Sequence, residues 1–111
     1  MANDVISRLA ALIHERRQSA PETSYTRQLI DAGPAKPAKK LGEEATETVI
    51  AALVEDDERL KNEAADLIYH LLVVLECRNV PVADVLAELE RRFSMSGVAE
   101  KAARKAPKPP V

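Results

Sequence analysis

The sequence of 111 residues predicts a single all-α domain. Apolar residues recur at the three- and four-residue spacing of an amphipathic helix in four stretches, and no stretch shows the alternation of a half-buried strand. The breaks between the stretches contain proline, glycine or a pair of aspartates, which end one helix or cap the next. We therefore predict an all-α fold with four main helices.

The first predicted helix covers residues 4–17, with Asn3 or Asp4 as its N-cap. One face of this amphipathic helix carries Val5, Leu9, Leu12 and Arg16, with Ile6 and Ile13 beside them. Residues 18–37 then collect turn-forming residues around one short helix over residues 24–30. Gly33-Pro34 predicts the end of that helix, because glycine adopts a left-handed conformation and the following proline cannot continue the helix.

Three longer predicted helices complete the fold. The first covers residues 38–55, and the second covers residues 58–78 with Asp56 and Asp57 as candidate caps. The third covers residues 81–93, with Pro81 in its first turn. Residues 1–93 are thus predicted to form the domain, and residues 94–111 a basic, proline-containing, mobile tail.

The composition excludes several classes of partner. Hydrophobic residues make up 46% of the chain and charged residues 31%, which is typical of a folded globular protein. Aromatic residues make up only 3%, too few for a stacking platform that binds single-stranded nucleic acid. The formal net charge of −2 argues against a surface that binds duplex nucleic acid. We expect no nucleic-acid partner.

The single cysteine and the absence of long apolar runs are typical of a cytoplasmic protein. Cys77 is the only cysteine, which excludes an intrachain disulfide and a cysteine-cluster zinc site. The first four residues lack the basic and apolar parts of a signal peptide. The longest strongly apolar run, residues 71–75, is far shorter than a membrane span. We expect a cytoplasmic protein without membrane association.

Two segments, residues 41–47 and 60–66, repeat the pattern Leu-x-x-Glu-Ala-x-acid. At about 100° per residue, the two acidic residues of each segment lie at the border of the apolar stripe rather than opposite it. If the two helices pack antiparallel through these stripes, four carboxylates converge on one side of the seam. These carboxylates are Glu44, Glu47, Glu63 and Asp66.

Converging carboxylates repel one another more strongly as water is excluded, and a divalent cation relieves the repulsion. Oxygen ligands favour Mg²⁺ or Mn²⁺ over Zn²⁺, and such ions bind substrate phosphates, so the pattern indicates phosphoryl chemistry. The alternative is a solvated helix face, which is the usual meaning of Glu-x-x-Glu. A di-iron bundle needs Glu-x-x-His pairs, which neither His14 nor His70 provides.

Three motifs resemble those of a known family: Ser24-Tyr25-Thr26, Lys40-x-Gly42-Glu43-Glu44-x-x-Glu47-Thr48, and Asn62-Glu63-Ala64-x-Asp66-Leu67-x-Tyr69-His70-Leu71-Leu72-Val73. Over roughly residues 4–93 the chain is similar to phosphoribosyl-ATP pyrophosphohydrolase, within the MazG-like all-α NTP pyrophosphatase superfamily. The resemblance implies a MazG-like helical bundle that acts as a homodimer or higher homo-oligomer. It also implies Mg²⁺-dependent hydrolysis of 1-(5-phosphoribosyl)-ATP to 1-(5-phosphoribosyl)-AMP and pyrophosphate, the second step of histidine biosynthesis.

The same resemblance implies roles for individual residues. It makes Glu44, Glu47, Glu63 and Asp66 the metal ligands. It makes Glu43, Glu44 and Glu47 the catalytic residues, which bind metal and position water. Lys40 is expected to contact a phosphate as a point charge, with Lys39 as a second candidate. The remaining candidates for substrate binding are Tyr25, Thr26, Asn62 and His70.

Blander interpretations of these residues stay open beside the family roles. His70 is also compatible with a packed imidazole bonded to a neighbouring acid, and Asn62 with a role in the first turn of its helix. Tyr25 and Thr26 are also compatible with a short surface helix.

Two other functions stay open as alternatives. One is a house-cleaning (d)NTP pyrophosphatase of the same superfamily, and the other is a non-catalytic helical dimerisation module. The sequence indicates oligomerisation only through the helix over residues 58–78. There Ile68, Leu72 and Val73 widen the apolar stripe beyond the needs of one packing partner.

Overall fold

The computed structural model describes residues 4–20 and 24–93, together with Lys101 and Arg104. Five helices follow one another: α1 (Val5–Arg16), α2 (Tyr25–Asp31), α3 (Ala35–Val54), α4 (Asp57–Cys77) and α5 (Val82–Phe93). The predicted all-α fold is confirmed, with four main helices and one short helix in the predicted order. Within the described ranges, no helix combines the length and apolar character that crossing a membrane requires. The predicted tail over residues 94–111 lies outside the described residues, apart from Lys101 and Arg104.

Three helices begin with a side chain that accepts a hydrogen bond from a backbone amide. The pairs are Asp4 with Ser7 N at 2.6 Å, Ser24 with Arg27 N at 3.1 Å, and Asp56 with Arg59 N at 2.9 Å. Asp4 is thus one of the two predicted caps of α1, whereas Asn3 lies outside the described residues. Gly33 separates α2 from α3 with a φ of +81°, as its sequence position predicts.

Helix α3 begins three residues earlier than predicted, at Ala35, and contains Pro37 in its first turn. A proline is tolerated there because the first amides of a helix have no intrahelical partner, so its missing N–H removes no hydrogen bond. The Pro37 side chain is fully buried. Its ring therefore adds packing at the start of the helix that carries the first acidic segment.

The apolar core lies where α1, α2 and α4 meet. Its buried side chains are Ile13, Leu29, Leu72 and Val73, with Ile6, Leu9 and Ala10 packed against them. The predicted face of α1 was wrong for Val5 and Leu12, which are exposed, because α1 packs on the others through the side that carries Ile6 and Ile13. The predicted use of Leu72 and Val73 for oligomerisation was also wrong, because this chain's own core buries both.

Helices α3 and α4 form an antiparallel hairpin across a connection of two residues. Thr48 of α3 donates its hydroxyl hydrogen bond toward two carbonyl oxygens, that of Glu44 at 2.7 Å and that of Glu63 in α4 at 3.2 Å. Thr48 is therefore level with Glu63, and earlier residues of α3 meet later residues of α4. This arrangement brings the two acidic segments face to face across the seam.

Candidate metal centre

Three carboxylates from the two hairpin helices come together. Glu44 of α3 and Glu63 and Asp66 of α4 each offer an oxygen, and these oxygens all lie within 4.8 Å of one another. Glu44 and Glu63 are buried, with 9% and 6% of their surface exposed, whereas Asp66 is exposed. The antiparallel seam therefore places two of the acids inside the protein and one at its surface.

Glu47 is adjacent to this group of three and completes what we call the acidic cluster: Glu44, Glu47, Glu63 and Asp66. Glu47 lies one turn after Glu44 and is exposed. It contributes to the raised pKa of both Glu44 and Glu63, although it does not belong to the tightest group. Glu47 therefore borders the cluster on its open side.

The cluster is electrostatically unfavourable in the protein alone. Burial, followed by the hydrogen bond and charge of Glu47, raises the pKa of Glu44. The hydrogen bond with Glu47, followed by burial, raises the pKa of Glu63, and Arg59 opposes that increase. Atoms Oε2 of Glu44 and Oε2 of Glu63 are buried without any hydrogen-bond partner among the described residues. Buried oxygens without partners lower the stability of the folded protein, so a bound cation at this position would stabilise it.

The donor set fits a hard divalent cation. All candidate ligand atoms are carboxylate oxygens, which suit Mg²⁺ and Mn²⁺ and are poor ligands for softer metals. Glu44 and Glu63 also each carry one buried oxygen that no donor among the described residues satisfies. The exposed Asp66 and Glu47 leave one side of the cluster open to solvent.

Lys40 supplies positive charge near the cluster. Its ammonium lies 3.5 Å from a carboxylate oxygen of Glu43, one turn along the exposed side of α3. Tyr25, followed by Glu43, raises the pKa of Lys40, and Glu44 contributes in the same direction. Glu43 thus pairs with Lys40 instead of joining the three clustered acids.

Two of the predicted substrate-binding residues are not engaged in this network. Lys39 and Asn62 are exposed, and neither side chain makes a hydrogen bond or ion pair with another described residue. Their positions leave both available to a ligand, but no contact in the described chain holds them in one orientation.

Helix α2 docks on α4 beside the cluster through two pairs of side chains. The Tyr25 hydroxyl lies 3.2 Å from Nε2 of His70, and the Thr26 hydroxyl bonds to the hydroxyl of Tyr69. Thr26 is buried, so its hydroxyl serves the packing of α2 rather than an open surface. Tyr25 remains half exposed.

The His70 side chain is buried, with 6% of its surface exposed. Its Nδ1 lies 2.8 Å from the backbone carbonyl oxygen of Asp66. The packed imidazole that the sequence allowed is therefore bonded to the backbone of an acidic residue and not to its carboxylate.

One charged residue at the cluster escaped the sequence analysis. The guanidinium of Arg59 lies 3.2 Å from Oε1 of Glu63 and 3.2 Å from Oε2 of Glu55. Arg59 precedes Glu63 by four residues on α4, and this spacing places the two side chains on the same helix face. The spacing rule was therefore a signal that could have identified Arg59.

Comparisons with known proteins agree with the geometry. The model of the phosphoribosyl-ATP pyrophosphohydrolase family matches residues 6–93. A phosphoribosyl-ATP pyrophosphatase of Agrobacterium fabrum is 54% identical over 102 residues, which is 92% of this chain and 95% of the relative. One of Methylobacterium nodulans is 53% identical over 96% of this chain and its own full length. One of Methylobacterium radiotolerans is 57% identical over 87% of this chain and 91% of its own.

Proposed function

The chain belongs to the phosphoribosyl-ATP pyrophosphohydrolase family, and we propose from this premise that it hydrolyses 1-(5-phosphoribosyl)-ATP to 1-(5-phosphoribosyl)-AMP and pyrophosphate. The reaction is the second step of histidine biosynthesis and breaks a phosphoric anhydride. The observation that carries the proposal is the pair of buried, unpartnered carboxylate oxygens of Glu44 and Glu63. The proposal keeps the predicted cytoplasmic location.

In this proposal the acidic cluster of Glu44, Glu47, Glu63 and Asp66 holds Mg²⁺, and the same oxygen ligands would accept Mn²⁺. A bound ion of this kind neutralises phosphate charge and lowers the pKa of a water molecule. Glu44 and Glu63 contribute buried oxygens whose positions are fixed by the hairpin. Glu47 and Asp66, at the open side, are the acids able to orient water and the substrate at the same time.

The lysine side chains beside the acidic cluster are proposed to bind the triphosphate of the substrate. Lys40 offers an ammonium group that attracts a phosphate oxygen and stabilises the negative charge that develops on departing pyrophosphate. Glu43 restrains that ammonium from one side, which gives Glu43 an indirect part in the reaction. Lys39, exposed on the neighbouring position of α3, is the second candidate for phosphate contact.

The described chain leaves apolar side chains uncovered on α3 and α5, and we infer that a second copy covers them. Leu53 near the end of α3 is 77% exposed and Phe93 at the end of α5 is 81% exposed. None of the residues of α5 is buried, although the helix is strongly amphipathic. Apolar surface of this extent favours association, so the proposed enzyme is a homodimer or higher homo-oligomer.

The test of the function is pyrophosphate release by the purified protein, with phosphoribosyl-ATP, dCTP and dUTP compared at equal concentration. We expect release from phosphoribosyl-ATP that requires Mg²⁺ or Mn²⁺ and is at least about tenfold faster than from either deoxynucleotide. Preferential cleavage of dCTP or dUTP would instead identify a house-cleaning pyrophosphatase. Absence of release from all three would indicate a non-catalytic module.

Size-exclusion chromatography with light scattering measures the mass of the protein in solution and so tests the proposed oligomer. We expect a mass of at least two chains for the wild type and a smaller mass for Leu53→Lys, because a charge at this position disfavours burial. A monomeric wild-type protein at micromolar concentration would contradict the proposed assembly without affecting the metal site.

A further inference from the structure

The hydroxyl of Thr48 contacts the backbone of both buried acids of the candidate metal centre. Its Oγ1 lies 2.7 Å from the carbonyl oxygen of Glu44 and 3.2 Å from that of Glu63. A hydroxyl has one hydrogen and a carbonyl oxygen can only accept, so the two carbonyls share this hydrogen in a three-centre hydrogen bond. Glu44 and Glu63 are also the two acids that keep a buried oxygen without a partner among the described residues. One side chain therefore joins the backbones of these two residues across the seam.

Helix α3 itself fixes the direction of the Thr48 hydroxyl. Glu44 precedes Thr48 by four residues, so the shorter of the two contacts lies within one turn of α3. Threonine is branched at Cβ and has few side-chain rotamers in a helix, where its hydroxyl can bond to the carbonyl four residues earlier. The second contact, to Glu63, then depends on the position of α4 along α3. The hydroxyl thus links the positions of the two helices along the seam.

Apolar packing along α3 constrains this position only weakly. The buried residues of α3 are Pro37 in the first turn, Glu44 and Ala51. An alanine side chain is too short to interdigitate deeply with a facing helix, and the larger Val49 and Leu53 are exposed. Repulsion between the converging carboxylates opposes the close approach of the two helices. A directional hydrogen bond is therefore needed to hold the helices at one register where the acids meet.

A small error of register is enough to spoil a site for a small cation. The candidate ligand oxygens of Glu44, Glu63 and Asp66 lie within 4.8 Å of one another. Sliding one helix by a single residue displaces its side chains by about 1.5 Å. Metal–ligand distances tolerate errors of only about 0.2 Å, and Mg²⁺ demands nearly ideal octahedral geometry. The position of α4 along α3 is therefore a property on which metal binding depends.

We propose that Thr48 is a positioning residue for the candidate metal centre, whose shared hydroxyl hydrogen sets the register of α3 against α4 so that the carboxylates of Glu44 and Glu63 converge before the ion binds. Thr48 belongs to the second sequence motif, but the sequence analysis assigned it no role. The inference rests on the proposed function, because it places the ion at the acidic cluster. It makes Thr48 a determinant of metal affinity that contacts neither the ion nor the substrate.

Three single variants isolate the hydroxyl that crosses the seam. Thr48→Val keeps the branched shape and replaces the hydroxyl with a methyl group, whereas Thr48→Ser keeps the hydroxyl and loses the methyl group. Thr46→Val is the matched control. The hydroxyl of exposed Thr46 donates to the carbonyl oxygen of Gly42 at 3.1 Å, so this substitution removes a bond of the same kind that lies entirely within α3.

Calorimetric titration of the substrate-free protein with Mg²⁺ and with Ca²⁺ measures the effect on the site. We expect Thr48→Val to weaken Mg²⁺ binding about tenfold and Ca²⁺ binding by no more than about threefold, because Ca²⁺ accepts longer and less regular coordination. Thr48→Ser should stay within about threefold of the wild type for Mg²⁺, and Thr46→Val within about twofold for both ions. Unchanged Mg²⁺ affinity in Thr48→Val, equal losses for the two ions, or a Thr48→Ser variant as defective as Thr48→Val would overturn the proposal.

A destabilised variant outside the site separates positioning from a general loss of stability. Glu76→Gln serves here, because it removes the acid of an ion pair with Arg17 away from the acidic cluster. Thr48→Val and Glu76→Gln should both lower the thermal midpoint of the metal-free protein. The ratio of Mg²⁺ to Ca²⁺ affinity should fall in Thr48→Val and stay at the wild-type value in Glu76→Gln. The same fall in both variants would show that stability alone controls the site and would reject a positioning role.

The wild-type protein gives a further readout that does not depend on the folding of any variant. Three-bond NMR couplings should show the Thr48 side chain in one rotamer without Mg²⁺ and in the same rotamer with Mg²⁺. Averaging between rotamers in the metal-free protein contradicts positioning before the ion binds. A wild type that binds Mg²⁺ in a Thr48-dependent manner but releases no pyrophosphate would reject the proposed function alone. An active wild type whose Mg²⁺ affinity does not depend on Thr48 would reject this inference alone.

Discussion

Glu76 of α4 and the acidic cluster at the α3–α4 seam differ in whether other side chains of the protein neutralise them. Near the carboxyl ends of α1 and α4, Oε2 of Glu76 accepts hydrogen bonds from Arg17 at 2.7 Å and from His14 at 2.9 Å, and Arg17 also donates to Asn79. At the α3–α4 seam, Glu44 and Glu63 are more deeply buried, yet each keeps one oxygen without a partner among the described residues.

The difference between the two groups shows which carboxylates the fold uses for its own stability. A carboxylate that ties helices together has its counter-charges supplied by the chain, as Glu76 has. The acidic cluster instead brings like charges together at a cost to folding, and the ion pair of Arg59 with Glu63 offsets part of that cost. The signal for a binding site is therefore the missing partner and not the acidity.

The variant Glu44→Gln should produce the largest change in turnover. It tests most directly whether the acidic cluster, unlike Glu76, serves the reaction. We expect turnover to fall by about a hundredfold or more, because loss of a direct metal ligand exceeds the loss of a supporting hydrogen bond. The metal-free protein should be at least as stable as the wild type, because a buried charge without a partner is removed. Pyrophosphate release and urea unfolding measure the two effects. A variant that is both active and destabilised would place Glu44 among the structural acids.

The pH dependence of stability should have opposite slopes with and without Mg²⁺. Folding raises the pKa of both Glu44 and Glu63 above the ordinary value of 4.5. Their contribution to stability is therefore full below that value and is lost as the pH rises through the raised pKa values. Mg²⁺ binds the deprotonated form, so it should stabilise the protein increasingly as pH rises, by about 2.7 kcal/mol at about 100 times Kd.

Thermal unfolding from about pH 4 to pH 8, with EDTA or with excess Mg²⁺, measures these slopes. The variant Glu76→Gln is the matched control, because it alters an acid on the same helix but outside the acidic cluster. Its response to Mg²⁺ should equal that of the wild type. Parallel curves for the wild type with EDTA and with Mg²⁺ would contradict a cation site at the cluster.

Glu76→Gln should show the converse pattern to Glu44→Gln. We expect a loss of about 1 kcal/mol in the free energy of unfolding, because Glu76 is mostly buried while its partners Arg17 and His14 are more exposed and screened by solvent. Values of kcat and KM should stay within about twofold of the wild type. Urea denaturation, with an unchanged dependence of the unfolding free energy on urea concentration, measures the loss of stability. Steady-state kinetics measure kcat and KM. A large loss of turnover without loss of stability would show that the Glu76 group also serves the reaction.

Arg59→Gln should produce the smallest effect, which is a change in Mg²⁺ affinity. It tests the cluster by removing a cation instead of an acid. Arg59 is the one described cation that pairs directly with an oxygen of the tight carboxylate group. Removing it should tighten Mg²⁺ binding about two- to fivefold, because an exposed guanidinium no longer competes for Glu63. Calorimetric titration measures the affinity, with Lys61→Gln as the control for removing a cation of the same helix that pairs with Glu58 instead. Weaker binding in Arg59→Gln would show that Arg59 supports the site rather than opposing the ion.

Much of the helical framework was predictable because its signals are local. Asp4, Ser24 and Asp56 each begin a helix through hydrogen bonds within the same turn, and the residue types alone favour this role. The limit of local reasoning was Pro37, which the sequence analysis placed before α3. The structure includes it in the first turn, because a proline there sacrifices no hydrogen bond.

The sequence allowed the acidic residues of the candidate site to be predicted, but not the solvent exposure of each one. The repeated pattern identified four carboxylates on two helices, and antiparallel packing brings the segments together. Spacing does not distinguish buried Glu44 and Glu63 from exposed Glu47 and Asp66, because solvent exposure depends on what packs beside each helix. Their roles as ligands stay a prediction that the variants above test.

The sequence by itself determined the all-α class, the caps and the helical repeat of the acids, since each depends on interactions within a few residues. Only the tertiary structure decided that α1 turns Ile13 instead of Leu12 into the core, and that Leu72 and Val73 are buried within one chain. Only the tertiary structure brought Tyr25 to His70, 45 residues away. The physical reason is that helical periodicity fixes which residues share a face, whereas packing against other elements fixes which face is buried and which side chains meet.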